Sequence, residues 1–216
     1  MKSIIVGIAI MFALPIFSIG QNFVREIDKT TTKPLLRGKI KMGDLLKESS
    51  CSWLEEGTQT YQPNNQYVQQ LGENWGNYRF VVFVGTWCND TKDLLPKFYK
   101  TILESQIPLS TIEMYAVDRE KRSLKEEEKF YNIDRVPTFI VFHQKREVGR
   151  IVESVQESIE ADLANIIVKD AQDLEEKKIA KEAQFEKQRQ DEINNMKRRE
   201  KKKYFYTDYY FPNTAQ

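Results

Sequence analysis

The sequence predicts one α/β domain on a mixed sheet of about four strands flanked by helices, preceded by a helical extension and followed by a long charged helix. Three observations predict it. Arg79 to Val84 (RFVVFV) is an unbroken β-branched and aromatic run, the pattern of a strand covered on both faces. The periodic segments that follow read helix, strand, helix, hairpin, helix. A strand–helix–strand unit requires a crossover and a parallel pair, while the hairpin adds antiparallel strands at one side.

Taken in order, Met1-Lys2-Ser3 is a short positive start and Ile4 to Phe17 a 14-residue apolar run, followed by Ser18-Ile19-Gly20. The run is shorter than the roughly 20 residues that cross a bilayer and has the length of a secretory signal core. Residues 1–20 therefore read as a signal peptide cleaved after Gly20, the alternative being an uncleaved anchor. Either way the rest of the chain faces an oxidising compartment. No Cys marks a lipid-modified start, and no other segment is long and apolar enough to span a membrane.

Residues 21–61 form an N-terminal extension. The stretch 21–38, with Thr30-Thr31-Thr32-Lys33-Pro34, reads as a polar extended leader, and Ile40, Met42, Leu45, Leu46 and Trp53 suggest a short helix packed on something larger. Tyr61-Gln62-Pro63-Asn64-Asn65 is a turn cluster able to cap a helix running to about Leu71. After the Arg79–Val84 strand, Thr91 to Leu103 has helical spacing with Leu94, Leu95, Phe98 and Ile102 on one side. Thr111 to Val117 reads as a strand, and Arg122 to Tyr131 as a charged helix with Leu124 and Phe130 facing in. Thr138 to Phe142 and Val148 to Val152 form the hairpin around Gln144-Lys145-Arg146-Glu147. Ser158 opens an amphipathic helix with Ile159, Leu163, Ile166 and Ile167 inward, closing a domain over 62–168. Residues 169–203 have no Gly or Pro and many Glu and Lys at i,i+4 spacing, which predicts a solvated helix or one that docks a partner protein. Residues 204–216 are an aromatic tail.

Composition excludes several functions. The 216 residues hold 33 Lys+Arg against 32 Asp+Glu, and removing residues 1–20 takes away Lys2 alone. A balanced chain carries no overall bias toward nucleic acid or an anionic membrane. Two cysteines cannot build a Cys₄ zinc site, and the one histidine, His143, has no neighbours that suggest a catalytic base, so metal and Ser-His-Asp chemistry start weak and no metal or cofactor is expected. His143 reads as a surface or hairpin residue.

The chemistry sits in Gly85-Thr86-Trp87-Cys88-Asn89-Asp90-Thr91, between the buried strand and the amphipathic helix. Cys88 there falls at a helix N-terminus, where unpaired backbone N–H groups and the helix dipole favour an anion. A thiolate is such an anion, so the position favours a nucleophilic Cys88. Trp87-Cys88 after an apolar strand, Pro96 eight residues on, and Val136-Pro137-Thr138 before the next strand resemble the thioredoxin superfamily over about half of the chain. The resemblance implies that Pro137 is cis, lies beside Cys88 and presents backbone to an extended substrate segment. It implies a site of Cys88, Thr91 and Pro137, with Trp87, Asn89, Asp90 and Val136 shaping the pocket, and partners that are protein thiols or disulfides. Exported proteins of this type place the chain in the periplasm or outside the cell.

Three departures bear on that implied function. The family's second cysteine is Thr91 here, whose hydroxyl is unable to resolve a mixed disulfide but is able to hydrogen-bond to the Cys88 thiolate. Val82 stands where thioredoxins carry a buried acid, and Asp90 opposes a negative sulfur. Cys51, 37 residues before Cys88, is a distant resolving partner, half of a structural bridge, or a bystander. A bridge closing that loop would stabilise the fold by roughly 3–4 kcal/mol on chain-entropy grounds. Two functions follow: thiol–disulfide exchange through Cys88 alone, or a binding module of the same shape that has lost the resolving cysteine.

Overall fold

The computed structural model describes residues 22–210, with side chains to residue 202. The region read as a signal peptide and residues 211–216 lie outside the described residues. Six strands form one mixed sheet: β1 (Phe23–Ile27), β2 (Pro34–Ile40), β3 (Tyr78–Val84), β4 (Ile112–Ala116), β5 (Thr138–His143) and β6 (Arg146–Val152), in the order β1-β2-β4-β3-β5-β6. Only β3 and β4 run parallel, with Val82 opposite Met114; every other neighbouring pair is antiparallel.

The central strands bury both faces because their side chains alternate. Phe80, Val82, Val84, Met114, Ala116, Phe139 and Val141 point into the larger core. Val81, Phe83, Tyr115, Val117, Ile140 and Phe142 point into a smaller one on the opposite face. Helices α1 (Met42–Leu46), α2 (Ser52–Thr60), α3 (Asn65–Asn74), α4 (Asn89–Glu104) and α6 (Ile159–Tyr210) contribute to the larger core through residues such as Leu45, Leu54, Leu71, Phe98 and Leu163. The Asn64 side chain caps α3 by accepting the Gln66 N–H at 2.9 Å, which is why the Pro63-Asn64-Asn65 turn starts a helix. Helices α2 and α4 meet where Gly57 lies against Pro96, leaving no room for a Cβ. Among the described residues the opposite face carries α5 (Glu127–Phe130) and irregular chain, with Tyr131, Ile133 and Val136 packed inward.

The structure differs from the sequence reading in four places. Six strands replace the anticipated four, because the polar leader is itself a hairpin: Asp28 accepts the Thr30 N–H and the Thr31 hydroxyl and turns the chain from β1 into β2. The extension is therefore strand as well as helix. The charged helix foreseen over Arg122–Tyr131 shrinks to one turn. Asp118 accepts the Arg122 N–H and Glu128 the Ser123 N–H, so side chains take backbone donors that a longer helix would need. Phe130, expected inward, is 79% exposed. Finally, the last amphipathic helix and the charged segment are one helix, α6, about 78 Å long at 1.5 Å per residue and continuing into residues read as the aromatic tail.

Two buried carboxylates lock the root of α6. Asp170 accepts from the Tyr78 hydroxyl at 3.1 Å and is paired with His143 Nδ1 at 2.8 Å and with Arg146. His143 is thus a mostly buried tether at the hairpin. Glu160 accepts the Tyr61 hydroxyl at 2.7 Å and the Asn64 N–H at 3.1 Å. Burial opposes the charge of both acids, and their donors outweigh it, holding each carboxyl below its usual range.

Candidate thiol site

Strand β3 ends at Val84 and the chain turns at once, with the Cys88 N–H donating to the Gly85 carbonyl at 2.8 Å. Cys88 is the N-cap of α4 in extended conformation, with no side-chain cap bond. Its half-buried Sγ contacts the Val136 carbonyl oxygen at 3.3 Å and lies 3.9 Å from the Asp90 carboxylate. The Val136-Pro137 bond is cis. The Pro137 carbonyl accepts the Glu153 N–H at 2.9 Å, and the Thr138 hydroxyl donates to the Arg135 carbonyl at 2.7 Å, so both sides of the loop are tied to the sheet. Cys88, Val136 and Pro137 are brought together; Asn89 and Asp90 stand exposed at the rim.

Trp87 is held from three sides. Its indole N–H donates to the Val117 carbonyl at 2.9 Å, and the Arg119 guanidinium lies 4.9 Å over its ring. Gly85 lies beneath it, where an added Cβ would come within 2.7 Å of the indole. Arg119 is itself clamped by the buried Asp28 through Nε and Nη2 at 2.8–3.1 Å. The Arg119 hydrogen bonds, then the Thr31 hydroxyl, hold the Asp28 carboxyl well below the usual range. Asp28, and its pairing with Arg119, is what the sequence reading missed at the site. The Asp28 turn followed by Thr30 and Thr31 was the available signal, but nothing local paired it with Arg119, 91 residues away. Arg135, near the loop, pairs outward with Glu153.

Thr91 does not serve the sulfur. Fully buried, it accepts the Gly85 N–H on Oγ1 at 3.2 Å, closing the β3–α4 turn. The neighbouring Thr86 does likewise for Leu36, accepting its N–H at 3.2 Å and stitching the turn to β2. Cys51 is a free, buried thiol in the larger core, and burial pushes its proton affinity up. Cys88 packs against the smaller core on the other face, so no disulfide joins the two.

Around Cys88 a cleft of about 920 Å³ is lined by Asp28, Thr31, Lys33, Trp87, Asp90 and Lys92, among others. The Lys121 ammonium approaches the Trp87 ring from outside, at 6.0 Å. Among the described residues Lys33, Lys92 and Lys121 have no ion-pair partner, whereas the other cation of the cleft, Arg119, is paired with Asp28. The site is therefore a single thiol beside an ordered cis-proline loop, in a cleft lined by two unpaired lysines and, next to the sulfur, the unpaired carboxylate of Asp90. No group of three His, Cys, Asp or Glu side chains among the described residues is placed to hold a metal.

The family model described as Thioredoxin matches residues 60–167. The chain belongs to the thioredoxin family. No curated protein matches it. Among solved structures it is similar to a protein of unknown function from Pseudomonas aeruginosa (14% identity over 62% of this chain and 84% of that one, TM-score 0.43). It is also similar to a thioredoxin from Fasciola hepatica (24% identity, 47% and 88% coverage, TM-score 0.32) and to thioredoxin O2 from Arabidopsis thaliana in the oxidised state (17% identity, 49% and 84%, TM-score 0.32). Trp87, Cys88, Thr91 and Pro137 all lie within the matched residues.

Proposed function

We propose that this thioredoxin-family protein is a non-catalytic binding module acting outside the cytoplasm, holding an extended, acidic segment of a partner protein in the cleft beside Cys88 and Pro137. One observation carries the reading: the accessible thiol has no second thiol to complete a cycle. Attack of a thiolate on a disulfide forms one S–S bond and expels one thiolate, leaving the attacker joined to its substrate. Release requires a second thiolate to take over that bond. Thr91 offers none and is occupied by Gly85, while Cys51 is sealed in the other core. The three unpaired lysines around the cleft supply the charge for an acidic segment. The secretory pattern of residues 1–20 supports the location, and a mature N-terminus at Gln21 found by sequencing the protein from its producing cell tests it.

A second reading is favoured by the half-exposure of Cys88 at the start of α4, which suits exchange through one cysteine with an external thiol as the resolving reagent. Reduction of insulin disulfides by dithiothreitol separates the two. A binding module leaves the background rate unchanged, and its anisotropy-detected binding of acidic peptides survives Cys88→Ser but is lost on Lys33→Glu with Lys92→Glu. Acceleration of about tenfold or more that disappears in Cys88→Ser establishes exchange instead and ends the binding-module reading.

A further inference from the structure

We propose that the free part of α6 is a self-association arm, pairing antiparallel with α6 of a second copy of this chain about a two-fold axis at Phe185. The inference is independent of what Cys88 does. Beyond Asp170 the helix leaves the domain and its side chains are almost all exposed through residue 202. Leu174, Ile179, Phe185 and Met196 are 36–63% exposed, and Ile193 is half-buried. At 100° per residue these five fall within an arc of about 140°, the width of one helix face. Leu163, fully buried against the domain, begins the same series: residues 163, 174, 185 and 196 recur every 11 positions, close to three whole turns. The face that docks α6 on its own domain therefore continues past the domain with nothing upon it among the described residues.

Two patterns specify the occupant. The apolar positions are symmetric about Phe185: an antiparallel copy sets Leu174 against Met196 of its partner, Ile179 close to Ile193, and Phe185 against Phe185. The charges are antisymmetric about the same point. Residues 171–186 carry five acidic and three basic side chains, whereas residues 187–202 carry seven basic and three acidic. An antiparallel copy lays the acidic half on the basic half at both ends, with Asp173 opposite Lys197 and Lys178 opposite Glu192. A parallel copy sets like on like. The pairing is isologous and closes as a dimer. The two domains then stand at opposite ends of the paired segment, about 45 Å apart along the helices, and both Cys88 clefts stay open.

Sedimentation equilibrium of the full chain gives a dimer. Phe185→Glu, which places two like charges on the axis, raises the dimer dissociation constant about tenfold or more while the thermal unfolding midpoint of the monomeric domain holds. Orientation is read by oxidative cross-linking on a Cys88→Ser background, where the introduced thiol is the accessible one. Phe185→Cys links to itself. Leu174→Cys links only when mixed with Met196→Cys. A monomer at the highest soluble concentration overturns the proposal, as does a dimer in which Leu174→Cys links to itself.

Discussion

Replacing Thr91 by valine separates a structural threonine from a chemical one. The substitution keeps the shape and removes the hydroxyl. In the structure that hydroxyl accepts the Gly85 N–H at 3.2 Å in a position closed to water, so valine leaves a buried donor without a partner. An unsatisfied buried group of this kind costs about 1–3 kcal/mol. For a chain of this size each kcal/mol moves the melting midpoint by about 2–4 °C, so the variant should melt lower by about 2–12 °C. The Cys88 sulfur loses no contact, because its neighbours are the Val136 carbonyl and the Asp90 carboxylate. Its rate of alkylation by iodoacetamide at fixed pH should therefore stay within about twofold of the parent's, a difference of less than 0.5 kcal/mol. Urea unfolding and timed alkylation followed by mass measurement read the two effects separately. The reasoning is refuted if Thr91→Val unfolds like the parent while Cys88 reacts about tenfold more slowly, for that pattern belongs to a hydroxyl bonded to the sulfur.

The converse substitution, Thr91→Cys, supplies a second thiol three positions after Cys88 and should raise insulin reduction to about tenfold or more above the parent; failure would place the obstacle outside the missing cysteine. Asp170→Asn should destabilise the domain by roughly 2–4 kcal/mol in urea, since it breaks a buried carboxylate network that includes His143, Arg146 and the Tyr78 hydroxyl. Stability should also fall in acid. Asp28, Glu160 and Asp170 all have folded carboxyls below their unfolded values, so their contribution is complete above the ordinary carboxylate range near pH 4 and lost as pH drops through the folded values. A urea midpoint flat from pH 7 to pH 3 would contradict this. Gly57→Ala should cost about 1–3 kcal/mol in the same urea assay, because its methyl carbon would come within 2.7 Å of the rigid Pro96 ring; an unchanged midpoint would mean that α2 moves freely from α4.

What could be read beforehand was whatever the chain encodes over a few neighbouring residues. RFVVFV identifies a doubly buried strand because every position is apolar or packs its stem, and Asn64 marks a helix start because its oxygen reaches the Gln66 N–H. Strand β2 escaped because a glycine, Gly38, stands on its buried face between Leu36 and Ile40, and the adjacent buried Leu35 breaks the alternation. Strand β1 lies at the sheet edge and buries only Phe23, so its membership rests on pairing with β2 and not on its own composition. The charged segment before β5 shows the opposite error. Its glutamates and lysines are good helix formers, yet Ser123, Glu127 and Glu128 satisfy one another's backbone and hold the chain in turns. At the site, the change from strand to helical pattern placed Cys88 at a helix start, while Pro137 entered through the resemblance to the thioredoxin superfamily. The direction of the Thr91 hydroxyl was not legible, because helix-facing and strand-facing rotamers share one sequence.

The N-terminal hairpin changes how the site is understood. It does more than lengthen the sheet, since Asp28 sits in its turn and fixes Arg119, and Arg119 covers Trp87 beside the sulfur. Removing the Asp28 carboxylate frees a guanidinium that then competes for any acidic ligand in the cleft, adding a fourth unpaired cation to Lys33, Lys92 and Lys121. Two consequences of Asp28→Asn therefore oppose each other at the binding step: stronger attraction for an acidic peptide, and a looser Trp87 wall. Attraction between exposed charges is screened within about 10 Å at 0.1 M salt, whereas the loss of an ordered wall is not. Peptide affinity measured at low and high salt resolves the balance. Tighter binding than the parent at low salt that turns weaker at high salt locates the role of Asp28 in restraining Arg119. Equal weakening at both salts assigns the hairpin to shaping the wall alone.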